Sequence, residues 1–514
     1  NQLMKLISYI SSLILGASLV LVFEPFNFWF LSFFIPLAFY FLIREKDIKN
    51  SFSLSWFFGF GLWLFGILWI ENSIYFYGGA SKFLSYFLVI CLSAFLALLN
   101  SLFFVIFAYC KTKTNFDILF LFPAVWVGSE WLREFIFSGF PWFYLGYTSL
   151  DNFIFSGFIP IFGVFGMSFI LIFFPALTFL MFKSFIFADQ KKMALVYLTI
   201  FSLFLFASFS FYKVEWTSEK DEVNIVIVQP NISIEEKWSL EGEKESVDLF
   251  KSKNKEYSSK SKDKDILSVV FWPEVFLPGL KSKYTEVINE LEFYISKSNF
   301  ASVFGVLSKN NGAGGVNNSL MSLGKLNGKF DKQKLVPFGE YVPFSIFNSF
   351  FSFFNFNRPN IVPSDNNVLI KSKNLNISSA ICYEIAYQDI FLKHGEQSNL
   401  LFNASNDNWF GNTIGPYQHL QIARYRAAEN RKPLVRSTST GVSALIDKFG
   451  YIVKRIDLDN SDQSVKNSQL IEANIFSQSG HTPFITFGKW PSIIFILIVI
   501  FCSFFNRILK NEKY

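Results

Sequence analysis

The chain contains few of the two residue types on which much enzyme chemistry depends. Its 514 residues include three histidines and four cysteines. The histidines, His394, His419 and His481, are far apart, and neither a CxxC nor an HExxH motif occurs. The sequence therefore lacks the suitably spaced histidines and cysteines that a common zinc site or a histidine-based triad needs. We expect no metal and no other cofactor, and a chemistry that does not use histidine as its base.

Charge is also scarce, and this decides the class of protein. Charged residues make up 17% of the chain, whereas hydrophobic residues make up 51% and aromatic residues 20%. A chain this apolar is typical of a membrane protein. The net charge of +6 is modest, and the basic residues are scattered or lie beside apolar segments. Because they form no basic stripe, we expect no nucleic-acid partner.

Eight apolar segments are long enough to cross the hydrocarbon core of a bilayer. They are residues 6–23, 28–43, 54–72, 84–110, 118–136, 154–182, 194–212 and 491–506. No cleavage site follows the first segment, so we expect it to be retained. The predicted organisation is a seven-span membrane domain at 1–213, a polar domain at 214–489, and an eighth span with a tail at 490–514.

The orientation of these spans follows from the positive charges in their short loops. Basic residues follow the second, fourth, sixth and eighth segments, at Arg44, Lys46, Lys49, Lys111, Lys113, Lys183, Lys191, Lys192, Arg507, Lys510 and Lys513, whereas the alternate loops carry only Lys82. Positive loops stay in the cytoplasm. Both termini are therefore predicted to be cytoplasmic, and residues 214–489 are predicted to lie on the opposite side.

The polar domain alternates β-rich runs with helical or loop segments. The runs are Val223–Gln229, Ile266–Phe271, Ser302–Val306, Leu375–Ile381, Asn399–Asn403, Pro433–Thr438, Val442–Asp447 and Gln469–Ala473. Their Val, Ile, Leu and Phe content indicates sheets covered on both faces, hence an α/β or layered sandwich domain. Residues Gly415–Arg431 are predicted to form a helix.

Three reactive side chains follow predicted strands or stand at a turn. Cys382 is the only cysteine outside the apolar segments, and it has no partner there, although exported cysteines normally pair. It is either a reactive thiol or a small buried hydrophobe. Glu274 ends the run Trp272–Glu274, while Lys332 and Glu340 bracket a Pro-Phe-Gly turn. Taken singly, Glu274 and Lys332 are also compatible with solvated turn charges.

Taken together, these residues resemble the Glu-Lys-Cys triad of the nitrilase superfamily. The surrounding motifs resemble the apolipoprotein N-acyltransferase family over nearly the whole chain. They are Gly139–Trp142, Trp272–Glu274, Leu335–Pro343, Cys382–Glu384, Asn406–Gly411 and Gly415–Arg424. The resemblance implies a polytopic α-helical membrane domain of about eight spans plus an extracytoplasmic, nitrilase-like αββα sandwich. It places the chain in the bacterial inner membrane, with the catalytic domain on the periplasmic side.

The resemblance also assigns roles to residues. Cys382 would be the nucleophile, Glu274 its base, and Lys332 the cation that stabilises the oxyanion. Glu340 would orient or neutralise Lys332, with Tyr383 and Glu384 in support. Trp238 would lie at the edge of the substrate pocket.

The implied reaction moves an acyl chain from a glycerophospholipid, through a thioester on the cysteine, to the N-terminal amine of S-diacylglyceryl-cysteine in an apolipoprotein. We expect the protein to work as a monomer. Two other interpretations fit parts of the sequence. The triad alone also suits a membrane-tethered amidase acting on a small C–N substrate, although eight spans argue against a soluble substrate. A scaffold or transporter with a degenerate domain is less consistent with an intact triad.

Two further segments carry hypotheses. The aromatic segment 345–357 is interpreted as an arm that dips into the outer leaflet, with a core helix as the alternative. Near the end of the fifth segment, Glu130, Arg133 and Glu134 have helical spacing and are predicted to form a structural ion pair.

Overall fold

The computed structural model describes residues 2–136, 139–187, 190–310, 314–341, 360–365, 368–458 and 468–511. The predicted aromatic arm at 345–357 lies outside these residues. The chain divides into two compact units, the first formed by Asn1–Val214 with Phe487–Tyr514 and the second by Glu215–Thr486.

In the part of the chain that the structure describes, the regular structure of the first unit is helical. Its α-helices are α1 (Gln2–Leu19), α2 (Leu31–Ile43), α3 (Ile48–Gly66), α4 (Ile70–Asn72), α5 (Lys82–Cys110), α6 (Phe122–Leu132), α7 (Ile159–Ile186) and α8 (Lys191–Tyr212). Five helices in the described part of the chain are long and apolar enough to cross a membrane, or six if the pair Ile48–Gly66 and Ile70–Tyr77, bent by 59°, is one span.

All eight predicted apolar segments contain helix, but two are shorter than the prediction. The second segment forms the 13-residue helix α2. The fifth forms a π-helical turn at Asp117–Leu121 that continues into α6 and ends at Leu132. The predicted third span is the bent pair. Eight spans were predicted, and five or six helices in the described residues are long and apolar enough to be candidate membrane spans.

The charged residues near the end of α6 form hydrogen bonds with other parts of the first unit, although the charges of Glu130 and Arg133 also act on each other. Glu130 accepts hydrogen bonds from Trp126 Nε1 at 3.0 Å and from the backbone amide of Leu145 at 2.8 Å. Arg133 donates to Asn100 Oδ1 at 3.1 Å. The charged partner of Glu134 is Lys489, at 2.5 Å. The ion pair thus joins distant parts of the first unit rather than neighbours on one helix.

The second unit contains two β-sheets. Its strands are β1 (Thr217–Gln229), β2 (Leu267–Phe271), β3 (Leu277–Leu280), β4 (Phe300–Asn310), β5 (Gly315–Gly324), β6 (Lys329–Asp331), β7 (Ile370–Lys371), β8 (Asn376–Ile381), β9 (Leu400–Ser405), β10 (Leu434–Thr438), β11 (Ser443–Ile446), β12 (Ile452–Ile456) and β13 (Gln469–Gly480). One sheet has the order β13-β1-β2-β4-β5-β6, with β3 beside β4, and the other has the order β12-β11-β10-β9-β8-β7.

The remaining helices lie in the second unit and in the segment that follows it. They are α9 (Ile234–Lys237), α10 (Leu240–Lys260), α11 (Thr285–Ile295), α12 (Gly415–Asn430), α13 (Pro483–Phe487) and α14 (Trp490–Asn511). The strands β1, β2 and β4 run parallel to each other, as do β8, β9 and β10. Parallel strands need crossover connections, and helices supply several of them.

The two sheets pack face to face with helices outside them. Between the sheets, the rings of Phe271 and Phe402 lie 4.7 Å apart, and Ser437 Oγ on β10 donates to the carbonyl of Val228 on β1 at 3.1 Å. On the outer face of the first sheet, Phe250 of α10 and Leu291 of α11 join a buried cluster. The helix α12 lies beside β10. The predicted αββα sandwich is confirmed.

Candidate active site

Glu274 stands in the turn that follows β2. Pro273 fixes part of this turn, and Val275 has a positive φ of 42°. The turn crosses directly over Gly305 of β4, where a Cβ atom would lie 2.5 Å from the Pro273 carbonyl oxygen and 2.3 Å from the Val275 nitrogen. Only glycine allows this approach. The close crossing places the Glu274 side chain, which is 8% exposed, inside the domain.

Lys332 follows β6 and ends in a buried cluster of charges. Its side chain is 1% exposed. Its Nζ lies 3.1 Å from Glu274 Oε1 and 2.7 Å from Glu340 Oε1. Asn318 Nδ2 on the neighbouring strand β5 also donates to Glu274 Oε1, at 2.7 Å. One ammonium group thus bridges two carboxylates that are far apart in the sequence.

Cys382 begins a 3₁₀ helix immediately after β8 and is 7% exposed. Its φ of 53° lies in the left-handed region, which is uncommon for a residue with a side chain. The charges of both Glu274 and Lys332 act on its thiol. The structure therefore brings together the three residues that were predicted to form the triad.

Burial and charge set the protonation of these groups. Burial, together with the neighbouring Glu274 carboxylate, raises the pKa of the Cys382 thiol to about 12, although Lys332 acts in the opposite direction. Burial alone would lower the pKa of Lys332, but Glu274 and Glu340 outweigh it and raise that pKa well above its ordinary value. The resting site therefore holds a neutral thiol beside a charged lysine.

Two further predicted residues, Glu340 and Glu384, accept hydrogen bonds from backbone amides around the site. Glu340 pairs with Lys332 through Oε1, and its Oε2 accepts the backbone amide of Val336 at 2.8 Å. Glu384 is fully buried and accepts the amide of Ile381 at 2.7 Å. Burial raises the pKa of Glu384 to about 7, opposed by its hydrogen bonds to backbone amides.

The other predicted positions lie at the margin of this cluster. Tyr383 is buried and packs edge to face against Tyr387, with ring centroids 5.6 Å apart. Trp238 is 51% exposed. The residue before it, Lys237, is buried, and burial lowers the pKa of its side chain to about 8, although the charge of Glu274 acts in the opposite direction.

Sequence reasoning assigned no role to Asn318, Lys237 or the group of polar residues behind Cys382. That group consists of Asn403, Ser405, Asp407, His419 and Arg436. Asp407 lies within the motif Asn406–Gly411 and His419 within Gly415–Arg424. Their positions in these two motifs were the only signal in the sequence that could have identified them. Asn403 and Arg436 lie in the strands β9 and β10, which begin with apolar residues, so the sequence pattern there predicts buried strands and gives no indication of a functional residue. Among the described residues, no group of three or more His, Cys, Asp or Glu residues is arranged to hold a metal ion.

Comparison with known proteins assigns the site to a class and then to a family. The model of the carbon-nitrogen hydrolase family matches residues 242–474, which contain Glu274, Lys332 and Cys382. The second unit therefore has the nitrilase-like fold. A model described as the apolipoprotein N-acyltransferase N-terminal domain matches residues 15–177.

Relatives with that name match along almost the entire chain. The apolipoprotein N-acyltransferase of Haemophilus influenzae is 30% identical over 528 residues, covering 98% of this chain and 96% of the relative. That of Coxiella burnetii is 31% identical over 500 residues, covering 96% and 99%. That of Pasteurella multocida is 29% identical over 528 residues, covering 99% and 97%. The chain belongs to the apolipoprotein N-acyltransferase family.

Proposed function

We propose that this chain transfers an acyl chain from a glycerophospholipid to the N-terminal amino group of S-diacylglyceryl-cysteine in an apolipoprotein, through a thioester on Cys382. The observation that carries the proposal is the buried arrangement of Cys382, Glu274 and Lys332. Family membership supports the acyl transfer. It also favours this reaction over a tethered amidase, because the relatives match through the membrane unit as well.

In the first half-reaction, Glu274 accepts the proton of the Cys382 thiol while the sulfur attacks the ester carbonyl of the phospholipid. A thiol whose pKa is about 12 is not ionised in advance, so proton removal accompanies the attack. Glu274 Oε1 accepts hydrogen bonds from Lys332 Nζ and Asn318 Nδ2. Its Oε2 takes part in neither bond and accepts the thiol proton.

Lys332 stabilises the tetrahedral intermediate. Its ammonium group is fixed by Glu274 and Glu340, so it needs no reorientation when the oxyanion forms. A fixed donor of this kind is typically worth about 3–4 kcal/mol in the transition state. The intermediate collapses with cleavage of the ester C–O bond. Glu274 then returns its proton to the departing alkoxide, which leaves as lysophospholipid.

In the second half-reaction, the amine of the diacylglyceryl apolipoprotein attacks the thioester carbonyl. Glu274 takes a proton from the attacking nitrogen, and Lys332 again faces the oxyanion. Cleavage of the C–S bond then forms the amide, and the proton held by Glu274 restores the Cys382 thiol. Two substrates thus use the same three groups in turn, which makes the kinetics ping-pong.

The membrane setting follows from the same proposal. Both substrates are held in a bilayer, so an enzyme anchored in that bilayer meets them at high effective concentration. The loop charges favour cytoplasmic termini and a catalytic domain, residues 214–489, on the periplasmic side of the inner membrane. The protein acts there as a monomer, with Trp238 at the edge of the substrate pocket.

A labelling experiment tests this function. Purified protein is mixed with phosphatidylethanolamine that carries radiolabelled acyl chains, and the labelled protein is treated with hydroxylamine, which cleaves thioesters. We expect a hydroxylamine-sensitive adduct on the wild type and on Cys502→Ala, a control at an exposed cysteine. Cys382→Ala should form none. An adduct on Cys382→Ala, or its absence from the wild type, contradicts the proposal.

A further inference from the structure

The backbone of Cys382 is held in a conformation that needs support. A non-glycine residue at a φ of 53° persists when its surroundings hold it there. Two side-chain donors meet at its carbonyl oxygen. His419 Nε2 lies 3.2 Å from that oxygen, and Asn403 Nδ2 lies 3.4 Å from it. Both side chains are fully buried.

The partners of His419 define its tautomer. A carbonyl oxygen only accepts, so Nε2 must carry the hydrogen that points at Cys382. On the other side of the ring, Nδ1 lies 3.0 Å from Arg436 Nη2. A guanidinium group only donates, so Nδ1 must accept. Burial and the charge of Arg436 lower the pKa of His419, which agrees with a neutral ring.

A single guanidinium group orients both donors. Arg436 Nη1 donates to Asn403 Oδ1, and Nη2 donates to His419 Nδ1. Asp407 balances the charge, since its Oδ2 lies 2.8 Å from Arg436 Nη2, and Ser405 Oγ donates to its Oδ1 at 2.8 Å. The nearby Asp407 Oδ1 is 3.3 Å from His419 Nδ1. Both of those atoms are acceptors in this tautomer, so that contact is not a hydrogen bond.

We propose that His419 is a positioning residue for the acyl transfer, in which its Nε2–H, aligned by Arg436, holds the Cys382 carbonyl so that the thiol stays directed at Glu274 and Lys332. The inference rests on the function proposed above for Cys382. In this proposal His419 positions the nucleophile, whereas the carboxylate of Glu274 makes the proton transfers. The imidazole exchanges no proton during the reaction.

Two amide substitutions separate the bond to Cys382 from the bond to Arg436. In His419→Gln, the side-chain amide nitrogen reaches the position of Nε2 and can donate to the Cys382 carbonyl. In His419→Asn, the amide oxygen takes the position of Nδ1 and faces Arg436, but nothing reaches Cys382. We expect His419→Gln to form the acyl-enzyme within about 3-fold of the wild-type rate. His419→Asn should be slower by about 10²-fold, the effect of a small misplacement of a reacting atom.

The concentration dependence distinguishes positioning from a general loss of structure. The lipid concentration that gives half the maximal acylation rate should stay unchanged in both variants, because His419 holds the nucleophile and not the donor lipid. Equal rates for His419→Asn and the wild type overturn the proposal. A large loss in His419→Gln also overturns it, since glutamine cannot act as an acid or base, and this result decides the question even if the asparagine variant does not fold.

A second reaction separates this inference from the function itself. Alkylation of Cys382 by chloroacetamide needs no lipid, and Cys382→Ala gives its background. We expect the same order of rates, with His419→Gln near the wild type and His419→Asn slower. If the wild type forms no lipid adduct but keeps this order, the proposed function fails and the positioning role stands. If lipid acylation proceeds and the order is absent, the positioning role fails alone.

Discussion

The carboxylate of Glu384 accepts a hydrogen bond from the backbone amide of Lys334 at 2.9 Å, although 50 residues separate them in the sequence. The same carboxylate accepts the amides of Gln333 and Ile381, at 2.5 and 2.7 Å. These amides directly follow Lys332 and directly precede Cys382. One buried side chain therefore fixes the separation between the ammonium group and the thiol.

Glu384→Gln should weaken this link. A glutamine has a single acceptor oxygen, so at least one of the buried amides loses its partner, at a cost of about 1–3 kcal/mol. We expect a lower midpoint of thermal unfolding and slower acylation. The control is Glu396→Gln, whose carboxylate side chain is 62% exposed and should give a midpoint close to that of the wild type. Identical midpoints for both variants would show that the three amide bonds contribute nothing.

Lys332→Ala should lose acyl-enzyme formation by about 10²–10³-fold, because the oxyanion has no fixed cation. It also leaves the carboxylates of Glu274 and Glu340 buried without their partner. The matched control is Lys255→Ala, which removes an exposed lysine paired with Glu290 and should have little effect. Radiolabelled acylation and thermal unfolding are measured on both.

A double variant separates catalysis from stability at this ion pair. In Glu274→Gln/Lys332→Met, neither side chain carries a charge, so part of the stability lost in Lys332→Ala should return. Acylation should remain absent, since both the base and the oxyanion cation are gone. Recovery of acylation together with stability would remove both residues from the mechanism.

Glu274→Gln should change two reactions of Cys382 in opposite directions. The Glu274 carboxylate is one of the groups that raise the pKa of the thiol, so its removal should lower that pKa and increase the thiolate fraction at a given pH. A decrease of about one pKa unit would make alkylation by chloroacetamide about 10-fold faster at about pH 9. Acylation by phospholipid should fall, because the base is lost. A parallel decrease in both rates would contradict this account.

The Glu134–Lys489 ion pair should stabilise the membrane unit. Both side chains are buried, and their charged atoms lie 2.5 Å apart. Lys489→Met leaves the Glu134 carboxylate without this partner and should lower stability by about 3–5 kcal/mol. Glu134→Gln/Lys489→Met should recover part of the loss. Thermal unfolding in detergent tests both, with the exposed Lys192→Met as the control. A double variant less stable than the single one would exclude the pairing.

Local sequence predicted the elements of the fold well wherever apolar residues carry the signal. The helix predicted at Gly415–Arg431 is observed as Gly415–Asn430. Each of the eight β-rich runs overlaps a strand. The strands β3, β5, β6, β7 and β12 were not predicted, and in β5 the polar residues Asn317, Asn318 and Ser319 interrupt the apolar pattern. They are buried, and Asn317 and Ser319 bond to Val362 O and Asp331 Oδ1. Such partners are supplied by the tertiary fold, so the local sequence holds no trace of them.

The sequence alone determined the membrane class, the order of the elements and the motifs that carry Glu274, Lys332 and Cys382. The tertiary structure decided the electrostatics, because a charge acts through its distance and its burial. Lys332 and Glu274 are 58 residues apart in the sequence, and their ion pair exists because folding brings together the segments that follow β2 and β6, although β4 and β5 separate those strands in the sheet. The place of His419 behind Cys382 is likewise a product of folding, since Cys382 and Arg436, to which it is hydrogen-bonded, come from two other segments of the chain.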